Sequence, residues 1–137
     1  SEEHDYVLVH DAARPLIGSG DIENVIRSMR QHGCALAAEP LADTLKECGG
    51  DTRVTSTVDR QHMWLAQTPQ GARRKIMQEA FAAWDCDANG LPTDESMILE
   101  NIGQHPQLVA CSNPNFKLTT PTDLHIAEAL LQCGTIK

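Results

Sequence analysis

Short apolar runs alternate with amphipathic stretches along the chain. Tyr6-Val7-Leu8-Val9 is rich in β-formers and predicts a buried strand of a parallel sheet. The strand ends at His10-Asp11, and Arg14-Pro15 turns the chain away. Ile22, Val25, Ile26 and Met29 recur at helical spacing, so they form one apolar stripe. Ser19 or Asp21 is placed to cap that helix, and Gly33 to close it. Cys34-Ala35-Leu36-Ala37-Ala38 predicts a second buried strand. A β-α-β unit of this kind implies a crossover and a parallel pair.

The next segment changes character. Thr44 to Glu47 and Val54 to Val58 flank Gly49-Gly50-Asp51, which predicts a β-hairpin. Its strands are mostly polar, so it has no core of its own and is expected to project against another subunit. Met63 to Ala66 predicts a short strand ended by Thr68-Pro69. Residues 72–84 predict an amphipathic helix with Ile76, Met77, Ala80, Phe81 and Trp84 inward. Asp85 to Pro92 reads as a loop, and Thr93 as the cap of a short helix carrying Met97, Ile98 and Ile102. Gln107 to Cys111 and Asn115 to Leu118 are strand candidates. Thr120-Pro121-Thr122-Asp123 opens a last helix lined by Leu124, Ala127, Leu130 and Leu131. The expected class is α/β with a mostly parallel sheet. Ligands of such sheets sit beyond the C-terminal strand ends, which points at Asp11, Arg14, Thr68 and Lys117.

Composition narrows the possible partners. The 137 residues suit one domain, and 41% hydrophobic against 22% charged fits a globular protein. With 11 basic and 19 acidic residues the net charge is −8, which argues against nucleic-acid and anionic-membrane binding. A few local cations can still hold a small phosphorylated ligand. No apolar run approaches a membrane span and no signal peptide is visible. The five cysteines are widely spaced and without C-x-x-C, so reduced thiols in a cytoplasmic compartment are expected. The chain starts at Ser1 rather than Met, which reads as a cleavage or cloning boundary.

Each candidate residue has two readings. Asp11 suits Mg²⁺ held together with substrate phosphates, or a plain turn-capping aspartate. Arg14 can fork a phosphate or sit idle beside a turn. Arg60 can grip a phosphate or pair with Asp59. Thr44 and Thr68 offer hydroxyls to phosphate oxygens, or are ordinary strand threonines. Lys117 is a point charge for a phosphate or a solvated lysine.

Taken in order, several motifs resemble the 2-C-methyl-D-erythritol 4-phosphate cytidylyltransferases. They are Val7-Leu8-Val9-His10-Asp11-Ala12-Ala13-Arg14-Pro15, Asp43-Thr44, Thr57-Val58-Asp59-Arg60, Thr68-Pro69-Gln70, Thr93-Asp94-Glu95, and Phe116-Lys117-Leu118-Thr119 through Asp123-Leu124. The likeness spans nearly the whole chain. It implies a partial Rossmann-like nucleotidyltransferase sheet, with residues 41–60 forming a dimerisation arm. It also implies cytidylyl transfer from CTP to methylerythritol phosphate, a step of non-mevalonate isoprenoid synthesis. Asp11 matches a Mg²⁺-binding aspartate. Arg60 and Lys117 match the pair that positions the acceptor phosphate. Arg14, Thr44 and Thr68 match nearby substrate positions. In a homodimer, Thr44 and Arg60 would serve the neighbour's site. The family's glycine-rich loop with its basic pair has no match in residues 1–137. The chain therefore resembles the C-terminal portion of one nucleotidyltransferase domain, and the likeness implies little or no activity from it alone. Fusion to a later enzyme of the pathway beyond Lys137 stays open. Two other readings do as well: a pentitol (ribitol) phosphate cytidylyltransferase, and a non-catalytic dimerisation module.

Overall fold

The computed structural model describes residues 5–134. Expectations attached to Ser1, and to any chain beyond Lys137, lie outside the described residues. Four strands form one sheet: β1 (Tyr6–Val9), β2 (Cys34–Pro40), β5 (Trp64–Arg73) and β6 (Gln107–Ala110), in the order β1-β5-β2-β6. The hairpin strands β3 (Lys46–Cys48) and β4 (Val54–Thr57) make a separate two-stranded sheet. The helices are α1 (Ser19–His32), α2 (Arg74–Ala83), α3 (Cys86–Asn89), α4 (Glu95–Asn101) and α5 (Pro121–Gln132).

The α/β class and the projecting hairpin agree with expectation, but the strand pairing needs correcting. β1 and β2 do not touch. β5 lies between them, antiparallel to both, and only β2 and β6 pair in parallel. Three strands therefore point one way, as α/β crossovers require, while most pairings are antiparallel. β5 is also longer than the expected Met63–Ala66 strand, because it continues through Thr68-Pro69. The chain can do this because the register jumps there: Leu36 faces Gln70 but Ala38 faces Ala66. The slack in β5 accommodates a proline that has no N–H to give the ladder.

The period-two alternation of β1 and β2 divides the core between two faces. On one, Val25 and Met29 of α1 cover Ala35 and Ala37, with Tyr6 and Leu8 beside them. On the other, Met77 and Ala80 of α2 with Ile98 and Leu99 of α4 cover Cys34 and Ala72, with Val7 at the margin. β1 is half-buried rather than buried, since it pairs on one side only. Gly71 of β5 allows the closest strand approach. A Cβ there would strike the Val7 carbonyl oxygen and lie 2.8 Å from Met29 Sδ.

Local signals were less exact at helix ends. Gly18, not Ser19 or Asp21, is the N-cap of α1, while Gly33 closes it with φ 90°. Asp94, not Thr93, caps α4 through the Met97 N–H, and Asp85 caps the one-turn α3 within the expected loop. Phe81 is exposed rather than inward. Asn115 to Leu118 is not a strand but a loop, tied by the Leu118 N–H to the Ala13 carbonyl at 2.8 Å. Thr120 and Asp123 form the expected capping box of α5.

Candidate functional site

The loop after β1, the middle of β5 and the loop after β6 meet at one place. Asp11 forms the centre. Its Oδ1 accepts the Ala13 N–H at 3.0 Å, and its Oδ2 pairs with Lys117 Nζ at 2.9 Å. The turn-capping reading of Asp11 therefore holds, and its second oxygen is engaged by Lys117. The Lys117 hydrogen bond first, then that from Ala13, keeps the Asp11 carboxyl below its ordinary value, so it is anionic at neutral pH.

Thr68 locks the turn from β5. Its Oγ1 accepts the Asp11 N–H at 2.9 Å and lies 3.0 Å from His10 Nδ1, while His10 Nε2 lies 3.0 Å from the Arg14 carbonyl. A carbonyl only accepts, so Nε2 carries the hydrogen. With a neutral ring the Thr68 hydroxyl then donates to Nδ1, which satisfies both ring nitrogens of His10 and the Thr68 hydroxyl. Arg14 donates from Nη1 to the Asn115 carbonyl at 2.7 Å, and Asn115 Nδ2 donates to the Thr68 carbonyl at 2.7 Å. Arg14 thus braces the loop that delivers Lys117, a use that neither the phosphate fork nor the idle turn anticipated.

Asp21 supports the same loop from α1. Its buried carboxylate accepts from the Ser112 N–H and Oγ at 2.8 Å each, and from the Asn113 N–H and Nδ2 at 3.2 Å each. Burial pushes this carboxyl up, but the donors of Ser112 and Asn113 outweigh it and hold it below the ordinary value. Its place at the start of α1 marks Asp21, with Ser19, as a candidate cap; the partners it has instead lie some ninety residues away, beyond any local signal.

Asp11, Arg14, Thr68 and Lys117 are thus brought together. Thr44 and Arg60 are not part of this cluster; both are exposed, one before β3 and the other after β4. Asp59 accepts the Gln61 N–H at 3.0 Å, and no Asp59–Arg60 ion pair forms among the described residues. A cavity of about 340 Å³ opens beside Asp11, and Thr93 lines it together with Thr68. Because Asp94 takes the cap of α4, the Thr93 hydroxyl has only Met97 Sδ, at 3.5 Å, as a partner. Two capping types in succession were the available signal: with the aspartate engaged, the threonine is left over.

Among the described residues no three His, Cys, Asp or Glu side chains cluster as a metal cage. Mg²⁺ held together with a substrate needs one or two carboxylates plus phosphate oxygens and waters. Asp11 can supply one such carboxylate. No helix among the described residues is long and apolar enough to cross a membrane, and the five cysteines are free.

A family model for IspD, 2-C-methyl-D-erythritol 4-phosphate cytidylyltransferase, matches residues 1–133. The chain belongs to this family. It is 40% identical over 132 residues to the 2-C-methyl-D-erythritol 4-phosphate cytidylyltransferase of Syntrophus aciditrophicus, covering 96% of this chain and 56% of that protein. It is 43% identical over 133 residues to the bifunctional enzyme IspD/IspF of Desulfotalea psychrophila, covering 96% of this chain and 33% of the relative. Among solved structures, the Thermus thermophilus cytidylyltransferase superposes with TM-score 0.81 at 34% identity, over 93% of this chain and 62% of that one. The chain spans about half the length of the single-function relatives it matches, and a third of the bifunctional one. The mixed α/β fold with its partial sheet matches that of solved IspD structures.

Proposed function

We propose that this chain forms the acceptor-side half of an IspD active site, for cytidylyl transfer from CTP to 2-C-methyl-D-erythritol 4-phosphate. A phosphate oxygen of the acceptor attacks the α-phosphorus of CTP. The bond from that phosphorus to the β-phosphate bridging oxygen breaks, and pyrophosphate leaves. Proteins assist such transfers mainly by positioning and charge neutralisation. The observation that carries the reading is the Asp11–Lys117 pair, two opposite charges 2.9 Å apart from positions 106 residues apart in sequence.

In the absence of ligand each member neutralises the other. An incoming phosphate competes for the Lys117 ammonium, and the freed Asp11 carboxylate becomes available to Mg²⁺, which would supply charge neutralisation at the triphosphate. Thr68 fixes the Asp11 backbone, and Arg14 fixes the loop behind Lys117, so both charges are held in place before substrate arrives. The arm supports a homodimer. Leu45, Val54, Met63, Trp64 and Leu65 on it and at its base are large, apolar and exposed. In that assembly Thr44 and Arg60 reach the neighbour's acceptor phosphate. The pentitol phosphate and dimerisation-module alternatives have no supporting observation.

The test uses the whole protein, measuring pyrophosphate release from CTP with the acceptor present. Asp11→Asn is expected to lower kcat by about 10²-fold or more. Lys117→Ala should chiefly raise KM for the acceptor phosphate. Unchanged turnover in Asp11→Asn would return Asp11 to its turn-capping role alone.

A further inference from the structure

A second cavity lies outside the Asp11 cluster, against the loop that carries Lys117. It measures about 440 Å³, the size of a small-molecule site, and is lined among others by Glu39, Gln67, Cys111, Asn113, Asn115 and Phe116. Two side-chain acceptors in its wall, Gln67 Oε1 and Asn115 Oδ1, are buried with no hydrogen-bond partner, as is one donor outside the lining, Arg14 Nε. Their residues are only 6% and 3% exposed.

Neither amide can be turned round to remove the problem. Gln67 Nε2 donates to the Glu39 carboxylate at 3.2 Å, and Asn115 Nδ2 donates to the Thr68 carbonyl at 2.7 Å. Both partners only accept, so a flip would set oxygen against oxygen. An unpaired buried acceptor costs roughly as much as a lost hydrogen bond, and two in one cavity call for donors from outside the chain.

The sign of the charge is also given. Among the described residues no basic side chain lines the cavity, and Glu39 is in its wall. Burial first, then the negative charges of Asp21 and Glu39, push the Cys111 thiol up and outweigh the Asn115 hydrogen bond and the nearby Arg14 cation, which lower it. The thiol is therefore a neutral wall element rather than a nucleophile.

We propose that this cavity is a second ligand site, taking a small planar cation rich in N–H donors, of the amidinium or guanidinium class. Its N–H groups meet Gln67 Oε1 and Asn115 Oδ1, its charge faces Glu39, and its flat body lies along Phe116. Asn115 also bonds Thr68 and Arg14, so an occupant touches the same loop that presents Lys117. The inference concerns binding and does not depend on the cytidylyl reading.

Calorimetric titration of the whole protein with benzamidine, benzamide and benzoate tests it. Benzamidine is expected to bind saturably with Kd on the order of 1 mM, neutral benzamide about tenfold more weakly, and benzoate not at all. Gln67→Leu should weaken benzamidine by about tenfold. Glu39→Lys, at an exposed position that leaves folding intact, should abolish binding. Equal binding of benzoate would overturn the proposal, as would indifference to both substitutions or no saturable heat up to about 20 mM. So would a crystal structure grown with benzamidine that holds only water at Gln67 Oε1 and Asn115 Oδ1.

Discussion

At the scale of single residues, two positions hold the architecture under the site. Asp21 satisfies four donors of the 112–113 segment from a buried position. Asp21→Ala leaves those donors without a partner, and is expected to lower unfolding free energy by about 2–3 kcal/mol in urea titrations. The pH dependence has a definite sign. The folded carboxyl lies below its unfolded value of about 3.9, so this stabilisation is complete above that pH and fades as pH falls through the lower folded value. Gly71 is the second position. Its missing side chain lets β1 approach β5, and the obstacle to a methyl group is the Val7 backbone carbonyl, which cannot swing aside. Gly71→Ala is expected to cost about 1–3 kcal/mol by the same measurement.

At the scale of elements, what could be read from the chain was whatever is local. β1, the α1 stripe, Gly33 and the Thr120–Asp123 box lie within a few residues of the features that define them. The placement of β5 was not readable, because its partners are decided by backbone pairing with two earlier strands, Cys34↔Ala72 to Pro40↔Trp64 on β2 and Tyr6↔Arg73 to Val9↔Gln70 on β1. Nor were the caps Gly18, which has no capping side chain, and Asp94, which competes with the adjacent Thr93. Of the site, Asp11 and Lys117 were legible from motif resemblance, and their contact required the fold. The bracing roles of Arg14 and Asp21 were not, since both bond to a loop with no periodic signal. The box of α5 carries its own prediction. Hydrogen bonds from the Thr119 and Thr120 backbone lower the Asp123 carboxyl to about 2. Its stabilising bonds should be whole above about pH 3.9 and lost as pH falls through about 2, which a carboxyl carbon NMR titration would follow. Thr120→Ala removes the other half of the box and should cost about 1 kcal/mol of stability.

At the scale of the molecule, the division of labour between body and arm has a measurable consequence. Lys117 is on the body, whereas Arg60 is at the base of the arm, outside the Asp11 cluster. If the arm serves the neighbouring subunit, one damaged position in each chain leaves half of the mixed dimers' sites intact. At acceptor concentrations well below their raised KM, homodimers of Arg60→Ala and of Lys117→Ala are each expected to be nearly inactive. Unfolding and refolding them together should recover about a quarter of normal turnover. Recovery no greater than the sum of the two parents would place Arg60 in its own chain's chemistry instead.

The insertion of β5 between β1 and β2 also orders events in time. During synthesis, β1 and the helix after it emerge well before the strand they must flank. Neither β1 nor β2 can make its shared ladder until residues 64–73 have left the ribosome. The nascent segment therefore waits, with one sheet face only loosely covered by α1, for a strand that closes both gaps at once. Assembly of this half-molecule should be abrupt, with amide protection of Tyr6–Val9 and Cys34–Leu36 rising together rather than in sequence.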